Sequence, residues 1–585
     1  MIDPLPILQQ TFGFPDFRGV QRDVVERVMA GENTLAVMPT GAGKSLCYQL
    51  PAVALPGTCV VVSPLIALMH DQLRAAEAVG IRAATLTSVD TNQAETVARF
   101  RAGDLDLLYV APERASNDSF RNLLSQSKLS LFAIDEAHCV SEWGHDFRPD
   151  YRLLRPLLDR FEGVPRLALT ATADAHTRAD ILDQLGIPAE GLVIAGFDRP
   201  NIRYTITPRD NVGAQLAALA RAVPGPGIVY TTTRAATERL AAQLVKTGRP
   251  TRAYHAGLDP AVRARNQADF VDSEDMVMCA TIAFGMGIDK PDVRFVAHAG
   301  LPKSVEAYYQ ETGRAGRDGD PAQAHLFWGA EDWAQAWRRV GEVEPERQAA
   351  ARAQLNALQG LIETPGCRRA VLLRHFGESP PETCGNCDNC LSQPVLFDAT
   401  ELARKFLSAV YRTGQSFGLG HIEKVLTGAS DERVAKMGHD QLSVFGIVSG
   451  EDAKLIKPLS RALQARGLLT PTEHGGLQLG GRARAVLKGE ESVQIVAPPP
   501  PRRRSRERAE ALPDDPLFDA LRTKRRELAA EAKVPPYVIF HDSVLREMAS
   551  LKPTSRAALA QISGIGARKM DAYGDAFLSV IREAG

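Results

Sequence analysis

Short, almost unbroken apolar runs recur along the first part of the chain, and each closes on a polar or glycine-rich turn. Residues 34–38 run into Pro39-Thr40-Gly41-Ala42-Gly43-Lys44-Ser45, residues 58–63 into Pro64, and residues 107–110 into Ala111-Pro112-Glu113-Arg114. Residues 131–134 close on Asp135-Glu136-Ala137-His138, and residues 167–169 on Thr170-Ala171-Thr172-Ala173. Runs this short, with no alternating polar positions, predict strands buried on both faces. The helical stretches between them predict a parallel sheet covered on both sides, with functional groups at the strands' C-terminal ends. Residues 227–230, 276–280 and 295–298 belong to a second series of the same kind. Two such lobes predict a cleft between them. Farther on the pattern changes. Residues 396–494 alternate helical stretches with short glycine-bounded apolar runs, 495–514 are rich in proline and arginine, and 515–585 read as a compact helical domain. The prolines at 498–501 predict an extended spacer. The arginines that follow are either a solvated charge run or phosphate contacts.

The polar turns carry chemistry. A strand, a glycine-rich turn, Lys44-Ser45 and a helix start form the setting of a phosphate-binding loop. Gly41 and Gly43 let the backbone of Thr40 to Ser45 curl so that its N–H groups converge on phosphate oxygens. Lys44 supplies a point charge to the β- and γ-phosphates, and Ser45 a hydroxyl to Mg²⁺. The generic pattern has glycine where this chain has Met38. Asp135 can hold the Mg²⁺ water shell, and Glu136 can orient and deprotonate the attacking water. Upstream, Phe14, Phe17, Arg18 and Gln21 offer an aromatic face, a guanidinium and an amide for an adenine edge. Tyr309-Gln310-Glu311-Thr312-Gly313-Arg314-Ala315-Gly316-Arg317 places two arginines on a glycine-rich turn. Guanidinium binds phosphate oxygens in pairs, so Arg317, with Arg314 beside it, is the expected cross-cleft finger.

Length, charge and cysteine usage narrow the class. The 585 residues have room for several domains, and 44% hydrophobic content is ordinary for a globular chain. No apolar run approaches the ~20 residues of a membrane span, and the first residues lack the basic and apolar regions of a signal peptide. A cytoplasmic protein with no membrane partner is expected. A net charge of −1 means that any nucleic-acid surface is local. Of the eight cysteines, Cys47, Cys59, Cys139 and Cys279 lie singly in apolar stretches and read as core thiols. Cys367, Cys384, Cys387 and Cys390 cluster. Four thiolates without histidine fit structural Zn²⁺; an iron–sulfur cluster and a redox Cys-x-x-Cys pair are the alternatives.

Pro-Thr-Gly-Ala-Gly-Lys-Ser, Asp-Glu-Ala-His and Thr-Ala-Thr-Ala together resemble a superfamily 2 helicase, where the first glycine of the loop is often absent. The stretch 139–151, with Trp143, Phe147 and Arg148, resembles the aromatic-rich loop of RecQ-family DNA helicases. Phe17-Arg18-x-x-Gln21 resembles that family's adenine motif, with Gly19-Val20 where Pro-Gly is common. Residues 281–290 and 309–319 resemble its second-lobe motifs, and Cys367-Arg368-Arg369 with the cysteine triplet its zinc module. The resemblance covers nearly the whole chain. It implies a multidomain α/β protein of bacterial-type layout. The expected parts are RecA-like lobe 1 (1–205), RecA-like lobe 2 (206–335), a helical zinc-binding module (336–395), a winged-helix domain (396–494), a linker (495–514) and a small all-α helicase-and-RNase-D C-terminal (HRDC) domain (515–585). It implies an ATP-dependent DNA helicase moving 3′ to 5′ in repair, recombination and replication, with ATP, Mg²⁺ and Zn²⁺ as cofactors. His138 and Gln310 join the catalytic set by the same resemblance, and Asp289 the nucleotide-binding set. Expected DNA contacts are Trp143, Phe147 and Arg148, His474 on a short wing, and Arg522 and Arg525. For Trp143 and Phe147 the alternative is packing within the lobe. Expected partners are single-stranded, 3′-tailed and branched DNA and a single-strand-binding protein, with a monomer favoured and association with the nucleoid. An RNA helicase, a translocase that does not unwind and a non-catalytic DNA scaffold remain as alternatives.

Overall fold

The computed structural model describes residues 2–584 apart from 116, 142–146, 283, 285–289, 473–475, 497–514 and 533. The first lobe is a seven-stranded parallel sheet. Its strands are β1 (Thr34–Val37), β2 (Thr58–Val62), β3 (Ala83–Leu86), β4 (Leu107–Val110), β5 (Leu129–Ile134), β6 (Arg166–Thr170) and β7 (Leu192–Ile194), ordered β3-β4-β2-β5-β6-β1-β7. Every residue of β1, β2, β4 and β6 is buried. Helices cover both faces, which is why these strands carry no polar alternation. The order puts β5, β6 and β1 side by side, so the turns after residues 134, 170 and 37 open on one edge. Three motifs far apart in sequence meet there. Met38 N–H donates to the Thr170 carbonyl at 2.9 Å, which ties the first turn to the third.

The second lobe is a six-stranded parallel sheet ordered β10-β11-β9-β12-β13-β8. It contains β8 (Ile202–Pro208), β9 (Gly227–Tyr230), β10 (Thr251–Tyr254), β11 (Val277–Ala280), β12 (Phe295–His298) and β13 (Ala322–Trp328). The lobe boundary expected at 205/206 falls inside β8. The cysteine cluster lies at the starts of helices Arg368–His375 and Asp388–Leu391 and in the loop before the second, and it shares this lobe's core. Cys367 and Cys387 pack with Leu358, Leu361, Leu372 and Tyr308 in one buried cluster. Arg369 donates to the Pro200 and Ile202 carbonyls at 3.1 and 2.8 Å, fastening the module to the start of β8.

Residues 399–495 form a separate helical core closed by two short antiparallel pairs, Leu396–Asp398 with Gln494–Val496 and Leu469–Pro471 with Leu477–Leu479. The second pair is the expected wing. It is short, and its tip residue His474 lies outside the described residues.

The last domain has its own core around Leu521, Phe540, Leu545, Phe577 and Leu578. It docks on both lobes. Glu274, between helix Pro260–Asp272 and β11, receives Arg525 at 2.8 Å, Arg522 at 2.9 Å and Arg526 at 3.3 Å. Arg546 pairs with Asp320. On the first lobe, Gly566 packs on Gly13, and Arg568 donates to the Glu77 carbonyl at 3.1 Å. Arg525 is 2% exposed and also binds Asp542 at 2.7 Å. The expectation of DNA contacts at Arg522 and Arg525 is therefore corrected: both face Glu274, because their helix, Pro516–Ala532, turns this side to the second lobe. Removing one partner of a buried ion pair costs about 3–5 kcal/mol. Glu274→Lys is expected to release this domain, read as a larger radius of gyration in small-angle scattering. An unchanged radius would show that the Gly13–Gly566 contact suffices.

Candidate active site and metal centre

The phosphate loop follows β1 and enters helix Leu46–Ala54. Gly41 and Gly43 have φ of +85° and +74°, values that disfavour side chains. At Gly43 a Cβ would also stand 2.5 Å from Gln21 Nε2. Gln21 is buried. Its amide donates to the Ala42 carbonyl at 2.8 Å and accepts from Arg18 N–H at 2.9 Å. The expected adenine reader thus also braces the phosphate loop. Arg18 lies over the Phe14 ring at 5.7 Å. Lys44 Nζ donates to the Met38 carbonyl at 3.2 Å and approaches the Pro39 carbonyl at 3.5 Å, along the floor of the loop.

Asp135 and Glu136 follow β5 directly. Asp135 is buried, with Gln72 Nε2 at 3.5 Å from its carboxylate and Tyr151 OH donating to its carbonyl at 2.9 Å. Tyr48 OH in turn donates to Gln72 Oε1 at 2.7 Å. Burial first, then the adjacent Glu136 charge, pushes the Asp135 carboxyl up to about 7 against the pull of Lys44. A bound divalent cation would reverse that balance, because its charge favours the carboxylate. Buried carboxylate, hydroxyl and ammonium at one strand edge suit a hydrated Mg²⁺ with a nucleotide's phosphates. Glu136 has φ +48°, in the left-handed region that a non-glycine residue enters at a cost of about 1–3 kcal/mol. That kink sends its carboxylate toward His138, whose Nδ1 lies 3.3 Å from Glu136 Oε2 and 3.0 Å from Thr170 Oγ1. His138 therefore links the acidic turn to the turn after β6. Gln72, Tyr48 and Tyr151 are absent from the set read from sequence. Gln72 closes the short polar run His70-Asp71-Gln72 within helix Ile66–Ala78, and that run after an apolar stretch is its one signal in the sequence.

The arginine-bearing turn of the second lobe faces this loop. A Cβ on Gly313 would collide with Thr40 Oγ1, and one on Gly41 would meet Arg317 Cγ at 3.3 Å. Arg317 is half-buried beside the phosphate loop, whereas Arg314 is buried beneath the turn. Gln310 is buried on helix Val305–Thr312. Asp289 and Trp143 lie outside the described residues. Phe147 is half-buried between two guanidinium groups, Arg152 at 5.3 Å and Arg347 at 5.5 Å. Arg148 donates to the Pro64 carbonyl at 2.9 Å, so this side chain holds the turn after β2.

The four clustered cysteine sulfurs lie within 4.8 Å of one another, with the 384–390 and 367–387 pairs at 3.9 Å. A zinc tetrahedron with Zn–S bonds of about 2.3 Å spaces its sulfurs about 3.8 Å apart. Backbone N–H groups of Asn386 and Cys387 point at Cys384 Sγ at 3.4 and 3.3 Å, and that of Ala370 at Cys367 Sγ at 3.4 Å. These donors stabilise thiolates. An iron–sulfur cage stands between its thiolates and holds them wider apart, so the spacing fits one ion. The other four cysteines are buried in the lobes, as their apolar neighbours predict.

Comparison with known proteins matches each part in turn. Family models match as DEAD/DEAH box helicase at residues 18–181, helicase conserved C-terminal domain at 213–319, RecQ zinc-binding at 330–391, RQC domain at 393–504 and HRDC domain at 514–581. ATP-dependent DNA helicase RecQ of Haemophilus influenzae is 42% identical, over 99% of this chain and 96% of its own length. The protein of the same name from Bacillus subtilis is 37% identical over 98% of each chain. RecQ-like DNA helicase BLM of Xenopus laevis is 33% identical over 99% of this chain but 46% of its own. The match runs through both lobes, the zinc module and the two C-terminal domains, and the chain belongs to the RecQ family of helicases.

Proposed function

We propose that the chain is an ATP-dependent DNA helicase that separates duplex strands by moving 3′ to 5′. The observation that carries this reading is the seat of the Arg317 turn on the phosphate loop, one lobe closing over the other's nucleotide site. Lys44 and the loop N–H groups would hold the β- and γ-phosphates of ATP, and Ser45 and Asp135 would hold Mg²⁺, which supplies positive charge beside those phosphates. Glu136 takes the proton of the attacking water, with His138 setting its direction. Arg317 neutralises charge developing on the γ-phosphate, and Arg314 and Gln310 support the turn. Opening and closing of the cleft on each turnover moves two DNA grips relative to each other. The two lobes divide ahead of β8 and the later parts at 335, 395, 494 and 514, and the four clustered cysteines would hold Zn²⁺ in the module beside the second lobe. Work on 3′-tailed and branched DNA in repair, recombination and replication, as a monomer in the bacterial cytoplasm near the nucleoid and beside a single-strand-binding protein, follows from this reading. The test compares 3′-tailed, 5′-tailed, forked and quadruplex DNA with an RNA duplex in one unwinding assay. Unwinding of 3′-tailed DNA with ATP is expected; equal unwinding from a 5′ tail, or of the RNA, would overturn the polarity or the substrate.

The described ends of the stretch 139–151 lie in the turn Ala137–Val140, next to Asp135-Glu136, and in helix Pro149–Arg152, so a loop this close in sequence to the acidic turn can report DNA to the ATP site. Stacking on a base contributes about 1–3 kcal/mol. Trp143→Ala is expected to keep basal ATPase and melting temperature but lose most stimulation by single-stranded DNA. A lower melting temperature with full stimulation of the folded fraction would assign Trp143 to packing.

A further inference from the structure

The connector between the lobes, residues 195–201, runs across the site instead of around it. Arg199 in its middle is half-buried, and among the described residues its guanidinium ends on four backbone carbonyls. Nη1 donates to Thr40 at 2.8 Å and Gly313 at 3.1 Å; Nη2 donates to Ala315 and Gly316, both at 2.9 Å. Three of these acceptors lie on the turn that carries Arg314 and Arg317, and the fourth on the phosphate loop. Two residues on, Asn201 Nδ2 donates to the Gly316 and Asp320 carbonyls, both at 2.8 Å, fastening the far side of the same turn. Tyr309 OH donates to the Phe197 carbonyl at 2.7 Å, fastening the near side. The connector is thus bound along the turn, and a single bond from Arg199 crosses to the nucleotide site.

We infer that Arg199 is a positioning residue for ATP hydrolysis: it sets the height of the arginine-bearing turn against the Thr40 carbonyl when the lobes close. The physical case is one of geometry. Five N–H donors on a planar fork reach several fixed acceptors at once, and an ammonium cannot. Arg199 rides with the second lobe, to which three bonds hold it. Its bond to Thr40 forms only when the lobes meet, so closure and placement of Arg317 become one event. Arg199 reaches carbonyls only, so its effect on the γ-phosphate passes through the turn. Nucleotide affinity is set largely by the phosphate loop of the first lobe, and Arg199 contributes little to it. Turnover needs the finger in place. A misplacement of about 1 Å at a reacting group lowers rate by up to about 100-fold.

This inference rests on the reading of Arg317 as the finger, so the test carries both. Steady-state ATPase on saturating single-stranded DNA is measured for wild type, Arg199→Ala, Arg199→Lys and Arg317→Ala, with melting temperature on the same preparations. Arg199→Ala is expected to lower kcat about 10–100-fold with KM for ATP within about twofold, because misplacement acts on the reacting geometry and not on binding. Arg199→Lys is expected to recover part of kcat, since charge and reach return without the fork. A normal kcat in both Arg199 variants overturns the inference, as does a rise in KM that accounts for the loss. A kcat loss matched by the unfolded fraction also overturns it. If Arg199→Ala does not fold, the same kcat-against-KM split in Arg199→Lys decides. A normal Arg317→Ala defeats the finger reading itself; an inactive Arg317→Ala beside a normal Arg199→Ala defeats only the role of Arg199.

Discussion

Lys44→Ala is expected to lower DNA-stimulated ATP hydrolysis by about 10²–10³-fold, the loss produced when one preorganised donor is removed from a charge-stabilising site. The ammonium now lies on the Met38 and Pro39 carbonyls, 3.2 and 3.5 Å away. These are neutral acceptors that it can leave when phosphate oxygens arrive. Alanine keeps the backbone, and Gly41 and Gly43 keep their left-handed turns, so the loop shape survives. What is lost is the charge facing the β- and γ-phosphates, which no neighbouring side chain restores: Ser45 has a hydroxyl, and Arg317 approaches from the other lobe. DNA affinity measured by fluorescence anisotropy is expected to stay near wild type, because the contacts proposed for DNA lie on other turns. Turnover at the wild-type rate would remove the phosphate loop from the mechanism.

Cys387→Ser is expected to empty the metal centre and destabilise the second lobe with it. Binding of structural zinc releases about 10–16 kcal/mol in small domains at neutral pH, as much as the whole stability of an ordinary domain at about 5–15 kcal/mol. Cys387 is 0% exposed and shares a buried cluster with Cys367, Leu358, Leu361 and Tyr308. The next residue, Asp388, accepts from Ile206 N–H of β8 at 2.9 Å and pairs with Arg368 at 3.1 Å. Loss of the ion therefore frees β8, an edge strand of the second sheet. Elemental analysis is expected to fall from about one zinc per chain, the stoichiometry of one four-thiolate site. Unfolding is expected to be easier by about 4–5 kcal/mol or more, as for loss of a structural metal. Full zinc content in the variant would exclude Cys387 as a ligand, and iron with visible absorbance in the wild type would reverse the choice of metal.

Most of the central strands, β13 excepted, and the chemistry on their turns were legible because both are local. β1, β2, β4, β5 and β6 are near-continuous apolar runs, and burial on both faces leaves that mark in any sequence. Glycines, a lysine and a serine in one covalent stretch bring their own geometry, so the phosphate loop could be read without a fold. The edge strands β3, β7, β8 and β10 were not read from the sequence, and neither was the interior strand β13, whose first residues alternate buried and half-buried. β8 alternates buried and exposed residues, and β7 spans only Leu192–Ile194. An edge strand has one neighbour, and its pattern fades toward that of a loop. What the tertiary structure alone decided is which distant groups meet. Arg525 looked like a surface charge on a helical domain, yet it reaches Glu274 across 251 positions and is buried there. Arg199 lay in an unremarked connector, and its guanidinium joins carbonyls 159 positions before it and 114 to 117 after it. Periodicity and turn chemistry report only on near neighbours along the chain. Salt bridges and carbonyl forks between lobes form wherever packing of the two sheets brings them, and backbone carbonyls are the same at every residue, so nothing in the sequence marks which of them an arginine will find.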